Sequence, residues 1–126
     1  VTEERTNILE HQYNTQDMVA LGPDVLDEEN LHSIQAFARR MEDRGVTVLF
    51  SHAPLNALCV TSSAEENAAY ADAVRDALGL PVLVDYPDAV MEAPLFYDSN
   101  NHLNSEGAAL YTQKLIGRLA ELGLTA

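Results

Sequence analysis

The strongest chemical signal in the sequence is the stretch Leu95-Phe-Tyr-Asp98-Ser-Asn-Asn-His102-Leu-Asn104-Ser-Glu-Gly107. It places a carboxylate and an imidazole in one short polar loop that leads directly into a predicted helix. Asn104 suits the N-cap of that helix, because its side-chain oxygen can accept a hydrogen bond from a first-turn backbone N–H. Apolar residues follow at helical spacing: Ala108, Leu115, Ile116, Leu119 and Leu122. The helix is predicted to end before Gly123, which suits the C′ position.

Asp98 and His102 have the chemistry of an acid–base pair. A carboxylate that accepts a hydrogen bond from one imidazole nitrogen leaves the other nitrogen free to act as a general base on a nucleophilic hydroxyl. The alternative is a polar loop in which the histidine only caps a neighbouring backbone group, since Asp and His are common in loops. Spacing alone leaves both interpretations open.

The motif from Asp98 to Gly107 resembles the last motif of the SGNH (GDSL-type) hydrolase superfamily and its O-acyltransferase relatives. In that family an Asp and a His, shortly before the C-terminal helix, complete a Ser-His-Asp triad. The resemblance implies that His102 is the base and Asp98 its orienting partner. It also implies a small-molecule or carbohydrate ester as substrate. The usual spacing of the family is Asp-x-x-His, whereas three residues separate Asp98 from His102 here.

The nucleophilic serine of that family is not recognisable in this sequence. It belongs to a Gly-Asp-Ser-like motif after the first strand, and none of the serines here has that context: Ser33, Ser51, Ser62, Ser63, Ser99 and Ser105. Asn14 and Asp17 do not supply the family's Gly-x-Asn-Asp block, since no glycine precedes them. We therefore expect the chain, which begins at Val1, to be the C-terminal half of the domain. Its sheet would then have an open edge that pairs with the missing N-terminal half or with another copy of the chain.

Two further helices are predicted upstream of the loop. The first covers residues 28–44, with Asp27 as N-cap and Gly45 at its end. The second runs to Leu78 and is closed by Gly79. Residues at its start have capping-box spacing: Ser62, Ser63, Glu65 and Glu66. The expected buried sides are Leu31, Ile34, Phe37, Ala38 and Met41 in the first helix, and Ala69, Tyr70, Ala73, Val74 and Ala77 in the second.

A short apolar run follows each of these helices. Residues 46–51 and 81–85 indicate buried parallel strands. The alternation of helix and strand is typical of a parallel α/β sheet with right-handed crossovers. The sequence thus predicts one α/β domain over residues 1–126. With the resemblance, we expect a three-layer α/β/α architecture around a parallel sheet, as in SGNH and flavodoxin-like folds, of which this chain supplies part.

Other polar residues are candidates for the same site. His52 follows the first predicted strand at its C-terminal end, where open α/β sheets place their ligands. We expect His52 to line the site near His102, and His52 and Asn101 are the candidates for substrate binding. The alternative for His52 is a loop histidine with a backbone partner. Ser51 does not pair with His52, because adjacent residues in an extended segment point to opposite faces. Asp85 ends the second predicted strand. Its possible roles are to contact the substrate, to be a solvated strand end or to pair with a helix.

Two other classes of function compete with a serine hydrolase. One is a non-catalytic binding or scaffold domain that keeps the fold without the nucleophile. The other is metal-dependent hydrolysis by residues predicted on one rim: His52, Asp85, Asp98 and His102. Single ligands at irregular spacing are not a metal motif, and the sequence has neither zinc-ligand spacing nor a phosphate loop. We therefore expect no metal and no cofactor.

Composition and charge exclude several classes of partner. The 126 residues, 47% of them hydrophobic, are enough for one modest core but not for two domains. Seven basic and twenty acidic residues give a net charge of −13, which disfavours nucleic acid and anionic membranes as partners.

No apolar run approaches the roughly 20 residues of a membrane span, so no membrane insertion is expected. The single Cys59 excludes an internal disulfide and is expected to be buried. The compartment, cytoplasmic or extracytoplasmic, is left open.

Overall fold

The computed structural model describes residues 18–124 as helices joined by short extended segments. The α-helices are α1 (Glu28–Glu42), α2 (Ala64–Leu78), α3 (Tyr86–Ala89) and α4 (Ser105–Glu121). Two short strands, β1 (Leu55–Asn56) and β2 (Val90–Met91), pair in parallel. Single 3₁₀ turns cover Pro23–Val25, Ala57–Cys59 and Ala93–Leu95. The observed class is mixed helix with a small parallel sheet. Asn14 and Asp17 lie outside the described residues.

Helix α1 begins at its predicted cap and ends two residues early. The carboxylate of Asp27 accepts a hydrogen bond from the backbone N–H of Asn30 at 2.8 Å. After Glu42, Gly45 adopts a positive φ of 77°, and the N–H of Val46 donates to the carbonyl of Met41 at 3.0 Å. This is the hydrogen-bond pattern of a Schellman end, which needs a residue that tolerates the left-handed region. The predicted role of Gly45 is confirmed.

Helix α2 carries the predicted capping box. The hydroxyl of Ser63 accepts from the N–H of Glu66 at 3.2 Å, and the carboxylate of Glu66 accepts from the N–H of Ser63 at 2.7 Å. The hydrogen bond that the carboxylate accepts from the backbone N–H of Ser63, and then the Ser63 side chain, lower the pKa of Glu66. Gly79 closes the helix in the left-handed region, as its position predicts.

The hydrophobic core lies between α1, α2 and the extended segments. Its buried centre is Ala38 with Val74, Leu78 and Leu80, and partly buried residues surround it: Leu26, Leu31, Val48, Phe50 and Tyr70. Several predicted core positions are exposed instead, namely Ile34, Phe37 and Ala69. In α2, Ala71 is buried in place of Ala69. Helix α1 therefore packs on the core through only one edge of its apolar face.

The two predicted strands meet in parallel but form one bridge rather than a ladder. Phe50 pairs with Val82, and its N–H donates to the carbonyl of Pro81 at 2.9 Å. The N–H of His52 then donates to the carbonyl of Val84 at 3.0 Å. In a regular parallel register it would bond to Leu83, whose carbonyl accepts from Nε of Arg118 at 3.2 Å instead. The register therefore steps by one residue, as at a β-bulge, and the predicted continuous strands are not formed.

Other backbone pairings lie in stretches predicted as connections. Val19 bridges Val60 in parallel, and β1 pairs with β2. Between them the chain makes a 3₁₀ turn that contains the fully buried Cys59, as expected for a packing residue. Within residues 18–124, no helix has both the length and the apolar character needed to cross a membrane.

Helix α4 is tied to the extended segments mainly by polar side chains. The hydroxyl of Tyr111 donates to the carbonyl of His52 and lies 3.2 Å from the Ser51 hydroxyl. The guanidinium of Arg118 donates to the carbonyl of Leu83, and Nζ of Lys114 donates to the carbonyl of Asp88 at 2.5 Å. These bonds fix the helix across the ends of both segments.

The predicted packed face of α4 is only partly correct. Of the described residues of this helix, Gly107 alone is buried. Ile116 is 54% exposed, and Leu122, just beyond the helix, is 38% exposed. Both ends of the helix are as predicted, since Asn104 is the N-cap and Gly123 follows the last turn with a φ of 70°.

Candidate active site

Asp98 and His102 form the hydrogen bond that the sequence predicts. Oδ1 of Asp98 lies 2.8 Å from Nδ1 of His102. Because an ionised carboxylate only accepts hydrogen bonds, the neutral form of the imidazole carries its proton on Nδ1 and its lone pair on Nε2. The two side chains are 54% and 65% exposed, so the pair is open to solvent. This is the geometry that general-base catalysis by a histidine oriented by a carboxylate requires.

The loop that carries this pair is closed at its base by backbone hydrogen bonds. Phe96 and Leu103 form an antiparallel bridge. Just inside it, the N–H of Tyr97 donates to the carbonyl of His102 at 2.8 Å, and just outside it the N–H of Asn104 donates to the carbonyl of Leu95 at 2.9 Å. The chain therefore turns back on itself between Asp98 and His102, which brings their side chains together despite three intervening residues.

Ser99 braces the tip of this loop. Its hydroxyl accepts from the N–H of His102 at 3.2 Å and donates to the side-chain oxygen of Asn101 at 3.0 Å. Both bonds involve groups other than the imidazole of His102. A short serine-based turn of this kind is common in loops. Ser99 thus holds the loop and is not placed as the nucleophile.

Asn104 connects the loop to helix α4. The side chain is only 6% exposed, and its oxygen accepts from the N–H of Gly107 at 2.9 Å. Its amide nitrogen donates to the carbonyl of Pro94 at 2.6 Å. One buried side chain therefore caps the helix and anchors the start of the loop. Sequence reasoning found the cap, but it missed the anchor, because the carbonyl it binds belongs to a residue without a recognisable signal.

An open cavity of about 500 Å³ lies beside the pair. Its walls combine apolar and polar side chains: Pro54, Tyr97, Asp98, Asn101, His102, Leu103 and Ala108. The volume is within the range of small-molecule sites, which are mostly apolar with a few polar groups. Asn101 is therefore next to the acid–base pair, where a candidate substrate-binding residue has to be.

His52 lies apart from this cavity. It is 8% exposed and packs against Phe50, Tyr86 and Tyr70, with ring centroids 4.9, 5.7 and 5.8 Å away. Its Nε2 atom has no hydrogen-bond partner within residues 18–124 and lies 4.0 Å from Oδ1 of Asp85. Burial lowers the pKa of His52, and the charge of Asp85 partly opposes that shift.

The aromatic surroundings of His52 are themselves neutral at ordinary pH. Burial, with Cys59 and Tyr70 nearby, raises the pKa of Tyr86 to about 12. Burial also raises the pKa of Tyr70. The tyrosine rings around His52 are therefore uncharged, and the charged group that faces it is the carboxylate of Asp85. The place expected for His52 in the cavity wall is taken by Pro54, two residues further on.

Asp85 has a structural role. Its carboxylate accepts from the N–H of Tyr86 at 2.9 Å, which caps α3, and it forms an ion pair with Arg75. This is the helix-partner alternative that the sequence offered. Residues 18–124 contain no group of three or more His, Cys, Asp or Glu side chains placed to hold a metal ion. The structure therefore does not assemble the four ligands of the metal-dependent alternative.

Comparisons with known protein families, with characterised proteins and with solved structures gave no match to this chain. The functional argument therefore depends on the geometry of the pair and its cavity.

Proposed function

We propose that this chain supplies the acid–base pair of an SGNH-type ester hydrolase or O-acyltransferase. The observation that carries the proposal is the 2.8 Å hydrogen bond between Asp98 and Nδ1 of His102, at the wall of a cavity of substrate size. This bond fixes the tautomer in which Nε2 can take a proton from a hydroxyl. A mere backbone-capping histidine would need neither the carboxylate nor the cavity.

In this proposal the reaction proceeds through an acyl-enzyme. Nε2 of His102 accepts the proton of a serine hydroxyl while the serine oxygen attacks the carbonyl carbon of the ester. The imidazolium, stabilised by Asp98, then returns that proton to the departing alcohol as the ester bond breaks. Water or an acceptor alcohol next loses its proton to Nε2 and attacks the acyl group. The bond between the acyl carbon and the serine oxygen then breaks, and Nε2 returns the proton to that oxygen. Asn101 and Tyr97 contact the substrate within the cavity.

The nucleophilic serine lies outside this chain. Among the described residues, Ser99 and Ser105 each lie three residues from His102 in sequence. The Ser99 hydroxyl is engaged in the loop, and Ser105 is the first residue of α4. The backbone N–H groups of Leu49 and Ser51 form no hydrogen bond within residues 18–124. No described residue pairs with that edge of the Phe50 segment, as expected of an incomplete sheet.

The contacts around that segment also favour a three-layer α/β/α fold. Helices α1 and α2 form the core with Phe50 and Val48. Helix α4 reaches the same segment through Tyr111. Helices that contact a parallel pair on both faces are typical of this architecture.

Fluorophosphonate labelling of the longest natural form of the polypeptide tests the proposal. We expect a serine outside residues 1–126 to be labelled, and the labelling rate to fall by more than about a hundredfold in His102→Ala, in keeping with the loss of a general base. Asp98→Asn should reduce the rate while leaving the fold intact. His32→Ala, which removes an exposed histidine of α1, is the matched control and should label normally.

A non-catalytic binding domain is the second candidate. It is favoured by the absence, among residues 18–124, of a serine hydrogen-bonded to the imidazole of His102. If the folded protein is not labelled, or if His102→Ala is labelled as fast as the parent protein, the hydrolase proposal is wrong and the binding domain takes its place.

A further inference from the structure

The cavity beside Asp98 and His102 is bounded on one side by Pro54, within residues 52–56, which we call the Pro54 segment. Every other described residue that lines the cavity belongs to the loop or to helix α4: Tyr97, Asp98, Asn101, His102, Leu103 and Ala108. The loop and α4 form one unit, because the side chain of Asn104 binds both. The width of the cavity therefore depends on how this unit is held against the Pro54 segment.

Hydrogen bonds join that unit to both ends of the Pro54 segment. At one end the hydroxyl of Tyr111 donates to the carbonyl of His52. At the other end the backbone N–H of Asn56 donates to the carbonyl of Asn100 at 2.8 Å. His52 and Asn56 stand two residues before and two residues after Pro54. The wall residue therefore lies between two fixed points.

Asn56 is held firmly in the interior. It is fully buried, and it pairs with Met91 in the parallel contact of β1 with β2. Its side-chain oxygen accepts from the N–H of Leu58 at 3.0 Å, and its carbonyl accepts from Sγ of Cys59 at 3.0 Å. The acid–base pair, on the other side of the bond to the loop, is more than half exposed. This bond thus ties an exposed loop to a buried, well-anchored residue.

We infer that Asn56 is a positioning residue of the proposed active site, whose backbone N–H holds the middle of the loop at a fixed distance from Pro54. A buried backbone N–H nearly always finds an acceptor, so the bond by itself indicates no special role. Its place gives it one. The acceptor, Asn100, lies midway between Asp98 and His102, and the donor belongs to the segment that forms the other wall of the cavity.

This inference separates the position of the base from its pairing with the acid. Without the bond from Asn56, the loop would move away from Pro54 and the cavity would widen. Asp98 and His102 would stay paired, because their hydrogen bond lies within the loop. A misplaced base reacts slowly even when its protonation is correct. The catalytic consequence rests on the proposed function, whereas the position of the loop does not.

Proline at position 56 removes the donor and fits the backbone. Asn56 has a φ of −68°, within the range that proline requires, and Leu55 before it is in an extended strand, as the residue before a proline prefers. Asn56→Ala is the matched control, because it loses the same side chain but keeps the N–H. Ala64→Pro controls for proline itself, since Ala64 is the exposed first residue of α2, where proline is tolerated.

The first measurement is ¹⁵N relaxation by NMR, on the longest natural form of the polypeptide. In Asn56→Pro the order parameters of residues 99–102 should fall below about 0.6, the range of a flexible backbone, while Asn56→Ala and Ala64→Pro should keep the values of the parent protein. His102 should keep its proton on Nδ1 in all of them. Equal loop order in Asn56→Pro and Asn56→Ala would overturn the inference.

A second measurement needs no substitution, so it applies even if Asn56→Pro does not fold. A long-range HNCO spectrum of the parent protein should show a coupling across the hydrogen bond from the N–H of Asn56 to the carbonyl of Asn100. The bond from the N–H of Tyr97 to the carbonyl of His102, also 2.8 Å long, is the internal control. A spectrum that shows the control coupling but lacks the other would overturn the inference.

Fluorophosphonate labelling of the same polypeptide measures the effect on the site. Asn56→Pro should be labelled about tenfold to a hundredfold more slowly than Asn56→Ala, as expected when a base is displaced by about 1 Å. Ala64→Pro should be labelled like the parent protein. Equal labelling of Asn56→Pro and Asn56→Ala, with the parent labelled, would overturn the inference. If the loop is released in Asn56→Pro but even the parent is not labelled, the loop is positioned as inferred and the hydrolase proposal is wrong.

Discussion

The carbonyl oxygen of Leu95 occupies the space that a side chain at Gly107 would need. A Cβ atom at Gly107 would overlap that oxygen and would lie 3.0 Å from Cδ2 of Leu103. The first turn of α4 therefore rests directly on the backbone that enters the Asp98–His102 loop. A glycine is required here by close approach rather than by its backbone angles.

We expect Gly107→Ala to destabilise the protein by about 2 kcal/mol or more, because the obstructing atom is backbone and cannot rotate away. Gly117→Ala in the same helix is the matched control. Its added Cβ meets open space, so it should stabilise the protein by about 0.5–1 kcal/mol through helix propensity. Urea unfolding at low protein concentration measures both changes. Equal effects of the two substitutions would contradict the close contact.

The two roles of Asn104, as helix cap and as anchor of the loop, should be separable by mutation. Asn104→Ser keeps a good N-cap but is too short to reach the carbonyl of Pro94. We expect the helix content to be retained, while His102 loses its preference for the Nδ1-protonated tautomer because the loop is released. Nitrogen chemical shifts of the imidazole by NMR report the tautomer. An unchanged tautomer in Asn104→Ser would show that the amide anchor does not set the position of His102.

His52 should make stability depend on pH. Burial lowers its pKa below the ordinary value of 6.5, so between these two values the unfolded chain binds a proton that the folded chain does not. The stability contributed by neutral His52 is therefore complete above pH 6.5 and is lost as the pH falls through the folded-state pKa. The titratable side chains that face His52 are Asp85, which is paired with Arg75, and the neutral Tyr70 and Tyr86.

The measurement is the free energy of unfolding from about pH 5 to about pH 8, the range in which histidine titrates. In His52→Gln the slope on the acidic side should be smaller than in the parent chain. An identical slope would assign the pH dependence to other groups.

The hydroxyl of Tyr111 should contribute measurably to stability. It is the donor to the carbonyl of His52, and Tyr111→Phe would leave that carbonyl without this partner. We expect a loss of about 1–2 kcal/mol. Tyr97→Phe is the control, because the Tyr97 hydroxyl forms no hydrogen bond within residues 18–124. Comparable losses in the two variants would mean that the hydroxyl of Tyr111 does not tie α4 to the Phe50 segment.

The sequence predicted those features that depend on neighbours in the chain. The caps at Asp27, Ser63 and Asn104 each bond within three residues, so their patterns are visible without the fold. The pairing of Asp98 with His102 is local for the same reason. The positions of the helices and the pairing of the polar residues in the candidate site could therefore be predicted from the sequence.

Features set by distant contacts were not predicted. His52 is drawn into the interior by Tyr70 and Tyr86, which no local pattern links to it. The step in register after Phe50 depends on Arg118 holding the carbonyl of Leu83. The helical spacing in α4 predicts Ile116 on the packed side, but tertiary contacts decide which side of the helix is covered, and Ile116 is exposed.

Most of the contacts that shape the Asp98–His102 pair join residues between Pro94 and Gly107, and one hydrogen bond, from the N–H of Asn56 to the carbonyl of Asn100 at 2.8 Å, ties the loop to β1. Closing so short a segment costs little chain entropy, so this unit can form early in folding, ahead of the long-range pairings. The position of Asp98 relative to His102 therefore depends on few contacts outside this segment. Substitutions elsewhere in the scaffold should leave the hydrogen bond between the two side chains largely unchanged.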